Sequence, residues 1–226
     1  MRQKLVRVVA GAAFAAAVVG GASGCSLRDG EERVVSYGVS EPVRTLVIEG
    51  HTGGVTITGG APAVKVTERQ NYRGEPPATT HVASDGTLTL TYSCENCGVG
   101  YDVEVPTGTA VRVRSEVGGV QLAGLDADVQ VRAGTGGVHA TALRSPTVKL
   151  AAETGGISAG FAESPTAVDA RTATGGVRIS VPAGTSYAVE AGAGTGGVTV
   201  EVPRDPAARR TIAARTETGG VEVVHG

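Results

Sequence analysis

The sequence has almost no aromatic surface. Phe, Tyr and Trp make up 3% of the 226 residues, tryptophan is absent and methionine occurs once. Pockets walled by aromatic rings, and the stacking platforms that hold bases or sugars, are therefore poorly provided for. An excess of positive charge is missing too, with 20 basic residues against 22 acidic ones. Affinity for nucleic acid rests on neutralising phosphates with Lys and Arg, so this balance argues against such a partner. No HExxH motif and no GK[ST] phosphate loop occurs, which removes the simplest signatures of metalloprotease and nucleotidase chemistry. What the chain does have is glycine, 35 residues, roughly twice ordinary usage. Its apolar content, 41%, is mostly Val and Ala, and Val favours strands. That composition excludes a coiled coil, a helical bundle and a polytopic membrane protein.

The first residues read as an address. Met1–Arg7 is basic, Val8–Val19 is apolar and Gly20–Gly24 is small, the three-part layout of a secretory signal. The apolar run is shorter than the ~20 residues needed to span a bilayer as a helix. It ends in Ala22-Ser23-Gly24-Cys25, which resembles the bacterial lipobox, with Ala22 where leucine is usual. The resemblance implies cleavage after residue 24 and lipidation of Cys25, so that a diacyl anchor ties the protein to the outer side of a bacterial cell membrane. The alternative is an ordinary signal peptide cut nearby, leaving Cys25 a free thiol. Removal of residues 1–24 takes Arg2, Lys4 and Arg7 and no acid with it. The mature chain is then mildly acidic, which does not favour an anionic membrane surface. Residues 25–42 carry Arg28, Asp29, Glu31, Glu32 and Arg33 and read as a solvated tether.

Three cysteines leave one odd thiol unless Cys25 carries lipid and Cys94 pairs with Cys97. The CxxC spacing also suits a redox motif or half a zinc knuckle. A redox motif needs a helix N-terminus to lower the thiol pKa, and the residues after Cys97 alternate like a strand. Zinc needs two further ligands, and His51, His81, His139 and His225 show no ligand spacing. A disulfide closing a tight loop is the remaining reading, worth about 2 kcal/mol by chain entropy.

The body repeats. Gly-Gly pairs followed by Val or Ile occur at Gly53-Gly54, Gly118-Gly119, Gly136-Gly137 and Gly155-Gly156, then at Gly175-Gly176, Gly196-Gly197 and Gly219-Gly220. From Gly118 onward the spacing stays near 20 residues, the mark of a stacked solenoid. Within each period lie two short alternating stretches, such as Val129-Gln-Val131 and Val138-His-Ala140. Alternation puts apolar side chains on one face, and only stacking coil on coil can bury them. The expected fold is all-β, a single-domain β-solenoid of the β-helix kind with glycine corners, over residues 43–226. Irregular coils and an N-terminal cap occupy 43–113, with a loop at Asn71–Thr80, and regular repeats occupy 114–226. The segments after Val105 and Val181 read as type I turns. Asp205-Pro206 opens either a single helical turn over Ala207–Arg210 or a protruding loop. The last motif, through Val221–Val224, ends next to the terminus and is expected to leave an open edge for end-to-end pairing with another chain.

Candidate chemistry is sparse. Gly192-Ala-Gly194-Thr-Gly196-Gly197 fits GxGxxG, but a strand pattern follows where a dinucleotide site needs a helix. Calcium β-rolls repeat every nine residues and carry aspartates, unlike this chain. Asp126 and Asp128, or Asp169 and Glu190 on one outer wall, are the available carboxylate pairs for glycoside chemistry. Nothing converges with them, and solvation is the simpler role. Lys149 is expected beside Asp169 one coil on. Thr135, Thr154, Thr174, Thr195 and Thr218 form a ladder suited to strand ends. No cofactor, no metal and no catalytic residue is assigned.

The lipobox-like start, the Val103–Thr109 lead-in and the train of Gly-Gly-Val/Ile coils together resemble the bacterial "putative adhesin" family, also called the toastrack domain. Coils of that family commonly read Gly-Asp-Val, and the second glycine replaces the Asp here. The resemblance implies an exported, non-enzymatic envelope protein. Its role is then a surface-exposed, adhesin-like binding scaffold, or a stress-sensing module that binds a wall, lipid or protein partner. A polysaccharide-acting β-helix enzyme is a distant third reading.

Overall fold

The structure is a computed structural model and describes residues 30–226; the expected signal segment and Cys25 lie outside the described residues. Nineteen strands form two sheets, one of ten strands and one of nine, facing each other over a continuous interior of Val, Leu, Ile and Ala. Each coil runs along the nine-stranded sheet, turns a corner and returns along the ten-stranded one. The expected solenoid is the fold found.

Strand β1 (Glu31–Val39) is followed by the first coil, β2 (Thr45–Thr52) and β3 (Val55–Gly59). The antiparallel strands β4 (Val64–Tyr72) and β5 (Ala78–Ser84) then precede a second coil, β6 (Thr87–Ser93) and β7 (Cys97–Val105). Four regular coils follow, β8/β9 (Ala110–Val117, Val120–Ala123), β10/β11 (Val129–Thr135, Val138–Leu143), β12/β13 (Thr147–Thr154, Ile157–Phe161) and β14/β15 (Ala167–Thr174, Val177–Val181). The last two are β16/β17 (Ala188–Thr195, Val198–Val200) and β18/β19 (Thr211–Thr218, Val221–His225).

Space does not follow chain order at either end. The coil β6/β7 lies outside β2/β3, and β8/β9 returns to stack on β2/β3 from the other side. At the far end β18/β19 inserts between β14/β15 and β16/β17. Val221–Val224 is therefore no edge. Val221 pairs with both Val177 and Val198, and Val221 and Val223 are fully buried. This corrects the expected open end, which belongs instead to β16 and β17. The segment 201–210 carries the chain back across that end. It is a loop without a helical turn, in which the Asp205 side chain accepts from the Ala207 amide at 2.9 Å.

Three further expectations change. Half of the supposed tether is strand β1, paired antiparallel with β4 from Glu31↔Tyr72 to Val39↔Val64. Its Val35, Tyr37 and Val39 turn half-buried faces inward. The loop expected at Asn71–Thr80 shrinks to 73–77, because β4 continues through Tyr72 and β5 begins at Ala78. The turns after Val105 and Val181 place Gly108 and Gly184 at φ +78° and +87°, the conformation a type II turn requires of its third residue rather than type I.

Register makes the core. Val129 stands beside Val111 and Val148, and Val131 beside Val113 and Leu150, so each inward column is apolar from coil to coil. Each such side chain, fully buried, contributes roughly 1.5–3 kcal/mol. The corners hold the coils in that register. Gly136 adopts φ +139°, and a Cβ there would overlap the carbonyl group of Gly118 in the next coil. The same corner is tied by backbone hydrogen bonds, with the Gly136 amide donating to Thr154 O at 2.8 Å and the Val138 amide to Gly156 O at 2.9 Å. The second glycine of each pair is different. It has no positive φ, and a Cβ at Gly119 would meet Gly137 O at an ordinary 3.6 Å.

Gly136→Val or Gly155→Val is accordingly expected to cost more than about 4 kcal/mol, lowering Tm by about 10 °C or more. Gly119→Ala should stay within about 1 kcal/mol. Thermal unfolding followed by circular dichroism separates the two classes, and equal effects would refute the corner geometry.

Candidate interaction surfaces

Two outer walls and one cap carry the polar chemistry of the molecule. On the ten-stranded sheet a shallow groove of about 930 Å³ runs beside the corners. Its floor is bare backbone at Gly119, Gly137, Gly156, Gly176 and Gly220, and Gln121, His139 and Ser158 line its wall in register. An Arg178–Glu222 ion pair stands at one end. One hydrogen-bonding side chain per coil, about 4.8 Å apart, gives this wall a regular polar edge.

The nine-stranded sheet carries charge in columns. Arg114 neighbours Arg132, then come Ala151, Arg171 and Arg215 in successive coils. Two residues further along the same strands lie Glu116, Glu153 and Glu217, all exposed. Lys149 and Asp169 are register neighbours as expected, but Asp169 takes its ion pair from Arg171, at 2.6 Å. Glu190 shares the column of Asp169 with Ala213 between them, and pairs with Arg215. The two acids are thus structural partners of arginines, two coils apart. The threonine ladder lies in register on exposed strand ends, where Thr135, Thr154, Thr174, Thr195 and Thr218 each supply a carbonyl to a corner amide.

The cap at the β1 end gathers what the sequence leaves scattered. Glu68 and Gln70 point inward from β4 and are almost fully buried. The Tyr37 hydroxyl donates to Glu68 Oε1 at 2.8 Å, and the Gln70 amide donates to Oε2 at 2.8 Å. Tyr101 is buried nearby, His81 packs on Tyr37 with ring centroids 4.6 Å apart, and Tyr92 lies 6.5 Å from Tyr101. Burial, and then the Glu68 charge, push the phenol pKa values of Tyr37 and Tyr101 far upward. Both rings stay neutral when folded, so their contribution to stability is intact below about pH 10 and is lost above it. Alternation of polar residues along Val64–Tyr72 was the signal for a buried polar column, since Glu68 and Gln70 share the phase of Val64 and Val66.

Of the remaining sequence candidates, Cys94 and Cys97 are joined by a disulfide, Cα atoms 6.0 Å apart, with Asn96 between them at φ +56°. The bridge closes the connection from β6 to β7, in the coil whose corner runs Gly98-Val99-Gly100 instead of Gly-Gly. Asp126 accepts from the Gly108 amide at 2.8 Å and so fixes a turn. Asp128 sits in the same connection. Gly192–Gly197 runs through β16 and a corner, with no helix to receive a phosphate. Among the described residues no three His, Cys, Asp or Glu side chains gather as a metal site, and no helix is long and apolar enough to cross a membrane.

Tyr37→Phe removes one of the donors to Glu68 and is expected to cost about 2 kcal/mol, or about 4–8 °C in Tm. Tyr187, fully buried with its hydroxyl unpartnered, supplies the contrast: Tyr187→Phe should be neutral or stabilising. Equal losses from both substitutions would show that the cap carboxylate does not depend on the Tyr37 phenol.

No family model matches the chain, and no curated protein sequence matches it. Among solved structures, a "putative cell adhesion protein" from Clostridium sporogenes superposes with a TM-score of 0.53 at 12% identity, covering 88% of this chain and 100% of its own. A "putative adhesin" from Bacteroides fragilis gives 0.49 at 13% identity, over 87% of this chain and 97% of its own. The Clostridium likeness establishes what the two chains share, the β-solenoid fold.

Proposed function

We propose that the protein is an exported, lipid-anchored scaffold that holds a rigid, adhesin-like binding surface at the cell envelope and performs no catalysis. The observation that carries this reading is the pair of long, regular outer walls on an eight-coil rod, in a fold shared with a protein described as a "putative cell adhesion protein". Such walls offer many weak, equally spaced contacts, which suits a repetitive partner in the cell wall. Strand β1 starts six residues after Cys25. If Cys25 carries the lipid, its link to the capped end of the rod spans at most about 20 Å. The cap then faces the membrane and the groove lies along the rod above it.

Two outcomes are expected. Cys25→Ser should move the protein from the membrane fraction into the medium. That same variant, purified from residue 25 onward, should cosediment saturably with isolated cell walls and not with lipid vesicles. Retention of Cys25→Ser in the membrane fraction would remove the anchor. Absence of wall binding across a salt series would remove the adhesin-like reading in favour of a module that senses a protein partner.

A further inference from the structure

We propose that two copies of this chain associate side by side through the outer face of the nine-stranded sheet. This inference goes beyond the wall-binding role and does not rest on it. The face is striped: arginines at positions 114, 132, 171 and 215, and, two residues on, glutamates at 116, 153 and 217. The stripes have gaps, and the gaps alternate. The acidic stripe is interrupted by Gly134 and Ala173, and the basic stripe by Ala151. Between the charged side chains these small residues leave a groove of about 680 Å³.

A two-fold axis parallel to the solenoid axis, placed between the stripes, lays each coil over its own copy and each stripe over its opposite. Arg132 then enters the gap at the partner's Gly134, flanked by the partner's Glu116 and Glu153. Glu153 enters the gap at the partner's Ala151, between the partner's Arg132 and Arg171. Arg171 enters the gap at the partner's Ala173, between the partner's Glu153 and Glu217. Arg132, Glu153 and Arg171 thus each meet a hole bordered by charges of opposite sign, while Arg114 and Arg215 stand over the partner's Glu116 and Glu217; guanidinium and carboxylate pair well in two-pronged geometry. Three of these groups already have a partner within the chain. Glu116 is 3.0 Å from His51, Arg171 is 2.6 Å from Asp169, and Arg215 pairs with Glu190. The guanidiniums keep unused donors, and among the described residues Arg114, Arg132, Glu153 and Glu217 have no ion pair. The column on the far side of the arginines, with Gln130, Lys149 and Asp169, would face the exposed threonine column of the partner.

Size is compatible. A strip eight coils long at about 4.8 Å per coil and about 20 Å wide covers roughly 750 Å² on each copy, close to the ~800 Å² per partner of a stable interface. An anionic polymer is a poorer fit to the same face, because the glutamate stripe lies within one residue pair of the arginines and repels it. A second copy satisfies both stripes at once.

Sedimentation velocity on the Cys25→Ser chain from residue 25 onward tests this. The chain should dimerise at low ionic strength, about 0.01 M, and the dimer should weaken at least about tenfold at about 1 M salt, where charges are screened beyond about 3 Å. Two double variants alter only exposed side chains: Arg132→Glu with Arg171→Glu, and Glu116→Arg with Glu153→Arg. Each alone juxtaposes like charges and should dimerise at least about tenfold more weakly than the parent. Mixed one to one, they again set opposite charges against each other around positions 132 and 153, leaving one like pair where Arg114 meets position 116, and should form a heterodimer tighter than either homodimer, with each variant's circular dichroism spectrum unchanged. A parent that stays monomeric at low salt, or a mixture no more associated than its components, overturns the proposal. Retention of a monomeric parent on an inorganic polyphosphate matrix would also overturn it, and would assign the arginine stripe to an anionic polymer.

Discussion

The structure depends on one steric fact at the corners. Where seven of the eight coils pass from one sheet to the other, the first glycine takes φ near +140° and its α-carbon lies against the carbonyl of the corner stacked on it. No L side chain fits that space. The close approach lets the corner amides donate straight into the neighbouring corner, so the ladder of hydrogen bonds continues around the turn instead of breaking there. A solenoid with looser corners would leave these amides facing solvent at the rim of the core. Here the corner sets the height of every coil, and the inward columns of Val, Leu and Ala follow from it.

Stacking has a cost at the ends, where a coil has a neighbour on one side only. The two ends solve this differently. At the β1 end, β1, β4 and β5 run antiparallel and cover the last parallel strands, with a buried carboxylate and tyrosines in place of an aliphatic interior. At the other end the chain overshoots, places β16/β17 outermost, and comes back to fill the gap it left. The outermost strands are short or rich in Gly and Ala, and β17 has only three residues, features that blunt an exposed edge. The C-terminal strand gains a partner on both sides by this route and is among the best buried in the rod.

Much of this was legible in the sequence and some of it could not be. Period, alternation and the Gly-Gly pairs point to a solenoid because each reflects a local rule that the fold obeys in nearly all its coils. Coil order is another matter. The corners at Gly175, Gly196 and Gly219 are nearly identical in sequence, so nothing local says which stacks on which; only the 23-residue spacing before Gly219 hints at a longer return. Strand β1 was hidden by its charged start, although Val35-x-Tyr37-x-Val39 already alternates. The polar cap was missed for a similar reason, since Glu68 and Gln70 look outward-facing by residue type and are inward-facing by phase. Of the site residues, the glycines were readable because backbone geometry demands them. The charged stripes were not, since arginines scattered some 20 residues apart align only when the register is known.

That register also explains why the crossing at the far end matters to the surface. Had the coils stacked in chain order, β16 would follow β14, and the charged columns would run from Arg171 and Ala173 into Gly192 and Gly194. By inserting β18 there, the chain sets Arg215 next to Arg171 and Glu217 next to Ala173, and moves β16, with Gly192 and Gly194 in these columns, to the tip. The same detour that buries the C-terminal strand thus carries both stripes one coil further and leaves the tip of the rod without unpaired charge on this face, because Glu190 is held by Arg215. A chain with a small net charge can in this way present strongly ordered charge. The fold supplies the spacing, each coil contributes one position to each column, and which neighbour a coil meets decides whether those positions form a stripe or a scatter.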